Sequence, residues 1–404
     1  MFARFDSRPA LALLALGVFG LQACSGQSDT AQASANGGSA GGSLGEPTAS
    51  FPEDFGAIQA VRELADGTVL VADPLGGALY AVDLDSGTRI QVGMEGQGPE
   101  EYRQPDAVWA LPGDSTLLID LGNGRMTSLA PDLTFGETSP LSAGDPRSGM
   151  IVAIPQAVDA AGRVYSRSLG MGMGAEPPDS GAVLRISRGS LELDTAAMFK
   201  LEDRVIERSG GPDNENVSVS PVPLSPQDAW GAAPDGAVVM ARSSDYTIEW
   251  HAADGTVTRG TPTPFDAIAI GTDEKEEYLR AQSQSGGGLG IQVTMGPEGL
   301  QTSFSRGGGG DGPSIDDYKW PDVKPPFYAE RVAVDPAGRA WVHRHVSAGG
   351  PSTYDVFDRA AERVATYTLP HGKRLIGFGE GTVYVVSFDE FDLNFLERYS
   401  MPGA

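Results

Sequence analysis

From about residue 55 onward, short apolar runs alternate with small-residue turns in a recurring order. A strand-like run leads into a turn, an apolar run follows, and then come a loop, another strand and often a second turn. The first turns fall at Ala65-Asp66-Gly67, Pro112-Gly113-Asp114, Ala160-Ala161-Gly162, Pro234-Asp235-Gly236, Pro336-Ala337-Gly338 and Gly379-Glu380-Gly381. The apolar runs behind them are Val69–Ala72, Leu117–Ile119, Val164-Tyr165, Val238–Ala241, Ala340–Val342 and Val383–Val386. Second turns fall at Asp85-Ser86-Gly87, Pro131-Asp132, Arg188-Gly189 and Ala253-Asp254-Gly255.

Three of the five intervals between first turns are about 43–49 residues, close to one propeller blade, and the two longer ones read as blades carrying insertions. Six repeats predict an all-β chain, a six-bladed β-propeller over residues 51–404. A lone four-stranded sheet cannot bury both faces, whereas sheets packed in a ring can. A pair of β-sandwiches would share the turn chemistry but not the common repeat. The sixth repeat has only one strand, Asn394–Met401, after Val383–Phe388. Its outer strand is expected from residues 43–51, because an unpaired edge is a liability.

Residues 271–324 break the rhythm and predict an insertion between blades 4 and 5. Thr272 is placed to cap a short helix with Asp273 and Glu274 in its first turn, ended by Gly286-Gly287-Gly288. A hairpin near Ile291–Phe304 and a Gly-rich loop follow. Such an insertion is either a functional element or a decoration.

Composition narrows the function. Gly (54) and Pro (29) favour turns over long helices, and 40% hydrophobic residues support a sizeable core. A net charge of −25 speaks against nucleic acid, since no excess of cations faces the phosphates. The single Cys rules out intramolecular disulfides, Cys-based zinc sites and iron–sulfur clusters.

That Cys carries the strongest motif. Arg4 and Arg8 precede an apolar stretch, Ala10–Leu21, too short to span a bilayer. It ends in Leu21-Gln22-Ala23-Cys24-Ser25-Gly26, which resembles the bacterial lipobox, in which the Cys is lipidated and becomes the mature N-terminus. Residues 1–23 thus read as a lipoprotein signal peptide, Cys24 as the lipidation site and 24–50 as a small, polar tether. An ordinary signal peptide with a chance Cys is the alternative. Ser25 resembles the sorting choice for the outer membrane of a Gram-negative cell. The membrane is then a partner through the lipid anchor only.

Gly93–Val108 (GMEGQGPEEYRQPDAV), followed by Asp120, Asn123 and Arg125 in the order Asp-x-x-Asn-x-Arg, resembles the inter-blade signature of NHL-type six-bladed propellers. It is similar in particular to six-bladed NHL/TolB-like bacterial lipoproteins of unassigned function. The close match covers one blade junction, and the blades around Arg163 and Arg339 lack the Asn-x-Arg element. The resemblance implies a shape and sites for partners, not one activity.

Six residues after the turn anchors stand Asp73, Asp120, Ser168, Arg242, Arg344 and Ser387, all polar. If they form one layer at the ring mouth, two Asp, two Arg and two Ser would recognise an anionic or zwitterionic ligand. Strand ends reaching solvent, or structural ion pairs, would produce the same pattern. His343 and His345 alternate on one strand, a spacing that places two imidazoles on one face. A metal there would need His251, His371 or a carboxylate from another blade. The acidic clusters Asp273–Glu277 and Asp311–Asp317 do not match a calcium loop. No cofactor is implied.

Three readings of function follow. The first is a non-enzymatic, envelope-anchored module that binds a protein, peptide or glycan, with an exposed aromatic or apolar patch on one face using Trp320, Tyr328 or Trp341. The second is a metal-dependent hydrolase or lyase of the six-bladed class, which needs three or four converging ligands. The third is a purely structural surface protein.

Overall fold

The computed structural model describes residues 40–145, 149–168, 178–188, 192–209, 216–284, 289–296, 299–307 and 314–402. Residues 1–39, among them the stretch 1–23 read as a signal peptide and Cys24 read as its lipidation site, lie outside the described residues. Six four-stranded antiparallel sheets follow one another along the chain. Each predicted apolar run is the second strand of its sheet. Blade 1 is Val61–Glu63, Val69–Asp73, Ala78–Asp83 and Thr88–Gln91. Blade 2 is Pro105–Ala110, Thr116–Asp120, Arg125–Leu129 and Phe135–Pro140. Blade 3 is Ala157–Val158, Val164–Arg167, Ser180–Ile186 and Leu193–Lys200. Blade 4 is Ala229–Ala232, Val238–Arg242, Thr247–His251 and Val257–Arg259. Blade 5 is Ala333–Val334, Ala340–Arg344, Ser352–Phe357 and Arg363–Leu369. Blade 6 is Arg374–Gly379, Thr382–Phe388 and Asn394–Ser400, completed by a strand from the chain's other end.

Packing shows why these runs are apolar without interruption. Side chains alternate across a strand, so a sheet covered on both faces needs apolar residues at odd and even positions alike. Val69 and Val71 pack with Tyr384 and Val386 of blade 6, whereas Leu70 and Ala72 pack with Val108 and Leu118 of blade 2. In blade 4, Val238 and Met240 face Tyr165 of blade 3, while Val239 and Ala241 face Val342 of blade 5. Six such clusters sit one between each pair of neighbours, and the last joins blade 6 to blade 1. The ring is closed, and the chain is a six-bladed β-propeller.

Closure also uses the N-terminal side. Ala49–Ser50 pairs antiparallel with Arg398 and Glu397 as the outer strand of blade 6. Ala40–Ser43 adds a fifth, parallel strand beside Ala365–Thr368 of blade 5. Both strands lie within the stretch 24–50 that reads as a tether in the sequence, so residues 40–43 and 49–50 carry strands of the ring. Phe51 and Phe55 follow the second strand into the core, and the Arg89 guanidinium lies 5.1 Å from the Phe55 ring centroid.

A repeated turn stabilises blades 3 and 5. In Asp159–Tyr165 and Asp335–Trp341 the sequence is Asp-x-Ala-Gly-Arg-x-aromatic. Asp159 accepts from Arg163 Nε (2.6 Å) and the Tyr165 hydroxyl (2.9 Å), and Asp335 accepts from Arg339 Nε (2.7 Å) and Trp341 Nε1 (2.9 Å). Gly162 and Gly338 take φ of 77° and 79°, which a Cβ disfavours, so the turn requires glycine there.

The Asp-x-x-Asn-x-Arg element has a structural purpose. Asn123 Nδ2 bridges Asp120 (2.7 Å) and the Gly96 carbonyl (2.8 Å). Arg125 donates to the carbonyls of Gln97, Gly98 and Glu101. Together they clamp the Gly-rich loop onto blade 2.

The insertion between blades 4 and 5 holds one helix, α1 (Thr272–Gln284), with Thr272 as its first residue, and a hairpin, Leu289–Gly296 with Gly299–Arg306. Its expected Gly286–Gly288 stop lies outside the described residues, as do residues 308–313 of the Gly-rich loop. Two further hairpins fill the longer connections, Ser142–Asp145 with Gly149–Val152 and Arg204–Ser209 with Asn216–Pro221. Among the described residues no helix is long and apolar enough to cross a membrane.

Candidate functional site

The innermost strand of every blade borders a central channel. On one side a cavity of about 320 Å³ is lined from all six blades, by Arg62, Trp109, Val158, Ala232, Val334 and Phe378 among others. On the other side, where inner strands begin and second strands end, lies a mouth cavity of about 280 Å³. Trp109 and Arg331 line both cavities. The Arg331 guanidinium sits 4.8 Å from the Trp109 ring centroid, so this pair forms the channel's waist.

The mouth is rich in cations for so acidic a chain. Arg167 ends the second strand of blade 3, Arg331 leads into the inner strand of blade 5, and Arg306 arrives on the insertion hairpin. Arg306 clasps Asp106 with both guanidinium edges, and its backbone exchanges hydrogen bonds with the Gln104 amide at 2.8 and 2.9 Å. The hairpin is thereby fastened to the rim, with Phe304 buried among the blade 2 and blade 3 residues. Arg167 and Arg331 have no ion-pair partner among the described residues, although Arg331 Nη2 donates to the Ile376 carbonyl (3.3 Å). Glu202 and Glu330 lie within electrostatic reach of them without pairing. Desolvation in the channel presses the Arg331 guanidinium down to about 10, eased by Glu330, so it stays charged at neutral pH.

The rest of the wall combines apolar side chains with two orphan polar groups. Val152, Ile154, Pro155 and Leu289 supply the apolar part. Trp109 Nε1 and Gln156 Oε1 are buried and have no hydrogen-bond partner among the described residues, one a donor and the other an acceptor.

The six residues read from the sequence as a mouth layer do occupy equivalent places, at or beside the ends of the second strands. None of them lines the mouth cavity. The second strand lies one step out from the channel, and its end is covered by the loop leading into the inner strand. Asp73 is buried and accepts N–H groups of Gly56 (2.8 Å), Ala57 (3.0 Å) and Gly76 (2.8 Å). Asp120 is buried likewise and accepts from the N–H groups of Arg103 and Gln104, both at 3.1 Å. Ser168 Oγ accepts from Ala182 N–H (2.8 Å). Arg242 bonds Glu249 (2.6 Å) and Asp228 (3.0 Å). Arg344 lies 3.6 Å from Asp355, and Ser387 pairs with Phe395 in blade 6.

The histidines do not converge. His343 Nδ1 contacts Glu330 (2.6 Å), with the ring stacked between Tyr328 and Tyr354. His345 is buried under Tyr328, His251 pairs with Glu249, and His371 is exposed at the Gly350 carbonyl. Among the described residues no group of three or more His, Cys, Asp or Glu is placed to hold a metal ion. Of the three aromatics offered as alternatives for a surface patch, Tyr328 stacks on His343. Trp341 is buried against Tyr367, while Trp320 packs on Tyr278 in the insertion.

No family model matches the chain, and no curated protein does. Solved structures resemble it at low identity. Virginiamycin B lyase from Staphylococcus aureus has 10% identity and a TM-score of 0.38, covering 88% of this chain and 98% of that one. A protein of unknown function from Bacteroides thetaiotaomicron has 11% identity and a TM-score of 0.41, covering 90% and 75%. Regucalcin, a calcium-binding protein from Agrobacterium tumefaciens, has 12% identity and a TM-score of 0.38, covering 88% and 96%. Nothing about ligand or reaction follows from likeness at this level.

Proposed function

We propose that this propeller is a non-enzymatic binding protein whose channel mouth takes a carboxylate-bearing end of a peptide. The observation that carries the reading is the presence of two guanidiniums, Arg167 and Arg331, that line one cavity of a chain with net charge −25 and have no carboxylate partner among the described residues, Arg331 Nη2 donating only to the Ile376 carbonyl at 3.3 Å. Arginine grips a carboxylate through two parallel hydrogen bonds, and the apolar wall strengthens that attraction. The orphan donor on Trp109 and orphan acceptor on Gln156 match the C=O and N–H of one peptide unit. A cavity of about 280 Å³ is near the lower limit for small-ligand sites, so only the terminal residue or an acidic side chain would enter.

The lipobox-like segment around Cys24 supports placing this module on the cell envelope by a lipid anchor, in the outer membrane by the Ser25 criterion. A metal-dependent hydrolase or lyase draws no support from the donor set, because the mouth's one carboxylate, Asp106, is clasped by Arg306 and the other polar groups are chiefly guanidinium, indole and amide. Calorimetric titration with a short peptide carrying a free C-terminal carboxylate, and with its amide, tests the proposal. The free acid should bind at least about tenfold tighter, and Arg331→Gln should remove the difference. Equal binding of acid and amide would reject it.

A further inference from the structure

A third cavity, of about 230 Å³, shares no residue with the channel and lies between α1 and the strand region of blade 5. Leu224, Tyr278, Ala281 and Tyr328 supply its apolar side chains, and Glu274, Glu277, Gln282, Lys324 and His345 complete the wall. The helix is pinned over it: Glu274 accepts from Ala348 N–H (3.2 Å) and Glu277 from Gly349 N–H (2.8 Å).

His345 is 6% exposed, and its Nδ1 lies 2.8 Å from the Pro325 carbonyl. A carbonyl only accepts, so Nδ1 carries the proton and Nε2 is a bare acceptor. That Nε2 is buried and has no partner among the described residues. Desolvation keeps the ring neutral, so the acceptor persists at any ordinary pH. The Tyr328 ring lies 3.9 Å from the imidazole, centroid to centroid.

We propose that this cavity binds a small neutral aromatic alcohol, a phenol, whose O–H donates to His345 Nε2 while its ring packs against Tyr278, Tyr328 and Leu224. An apolar cavity of about 150 Å³ already accommodates benzene, so a phenol ring has room. Charges of both signs border the cavity, Lys324 against Glu274 and Glu277, and each carboxylate is already engaged, so a neutral ligand fits best. Lys324 Nζ is held by the Val346 carbonyl (2.9 Å) with Glu277 at 3.9 Å, and its ammonium opposes a metal cation beside His345. A lone water is a poor occupant, because it needs two to four polar partners and this wall is mostly apolar.

The test uses the whole chain and three probes of similar shape: phenol, anisole and toluene. Phenol should bind saturably by calorimetry and about tenfold more tightly than anisole, which has the oxygen but not the proton. His345→Phe should abolish that preference, and Ala281→Trp should weaken phenol binding by narrowing the cavity from the helix side. Should His345→Phe fail to fold, long-range ¹⁵N spectra of the unaltered chain decide the matter. Phenol should move the His345 Nε2 resonance, and anisole should leave it in place. Equal affinity for phenol and anisole, or an Nε2 resonance that phenol leaves unmoved, would overturn the proposal.

Discussion

Arg331 and Trp109 meet across the channel, guanidinium over indole at 4.8 Å, and both belong to the cavity on each side. They come from blades that are not neighbours in the ring, so the contact is a strut across the pore. It also leaves the cation facing the mouth without a carboxylate. Arg331→Ala should therefore join the two cavities and admit water to the indole. Trp109 emission, isolated by difference against Trp109→Phe, should shift to the red and quench more readily with acrylamide. An unchanged spectrum would mean that the pair does not close the channel.

Asp120 separates a structural role from a binding role. Its carboxylate fastens the loop leading into blade 2 and orients Asn123. Asp120→Ala leaves several N–H donors without their charged acceptor, which should cost about 3 kcal/mol in urea unfolding. Affinity for a carboxylate peptide should stay within about twofold in the folded variant, as expected for a residue outside the mouth. A large loss of affinity with little loss of stability would restore Asp120 to a ligand-binding role.

Ring closure makes a sharper claim about Phe51. It is 1% exposed in the cluster joining blades 6 and 1, directly after the closing strand Ala49–Ser50. Phe51→Ala should destabilise the propeller by about 3–5 kcal/mol in chemical unfolding. A cost below about 1 kcal/mol would show that the N-terminal strand is not part of the cooperative unit.

Acid should weaken the fold through His345. Desolvation lowers its pKa from 6.5 to about 3, with the Pro325 hydrogen bond opposing and the charges of Lys324 and His343 adding to the shift. The unfolded chain thus binds a proton below pH 6.5 that the folded chain refuses until about pH 3. Stability falls as pH drops through that window, by about 2 kcal/mol between pH 7 and pH 5 from this residue. His345→Gln should flatten that part of the profile in urea melts at stepped pH, and an unaltered slope would contradict the assignment.

Much of the architecture is legible in the chain because it rests on local rules. The uninterrupted run Val69–Ala72 demands cover on both faces, and the turns at Gly162 and Gly338 require left-handed backbone. The missing outer strand of blade 6 is likewise readable, since an open edge needs a partner. The mouth is not legible. Trp109 sits in an ordinary inner-strand pattern, and nothing local says that it faces the channel. Arg306 reaches Asp106 across 200 residues of chain, a contact that only the folded ring creates. The polar ends of the second strands were a true periodic signal, but they serve backbone N–H groups at Asp73 and Asp120, one strand away from the pore.

The most direct measurement is the anomalous scattering of bromine in crystals soaked with a brominated carboxylate peptide end. A single ordered peak in the mouth cavity, with the carboxylate on Arg167 and Arg331, is the predicted result. A peak only in the opposite channel cavity or beneath α1, or none at saturating ligand, would contradict the account.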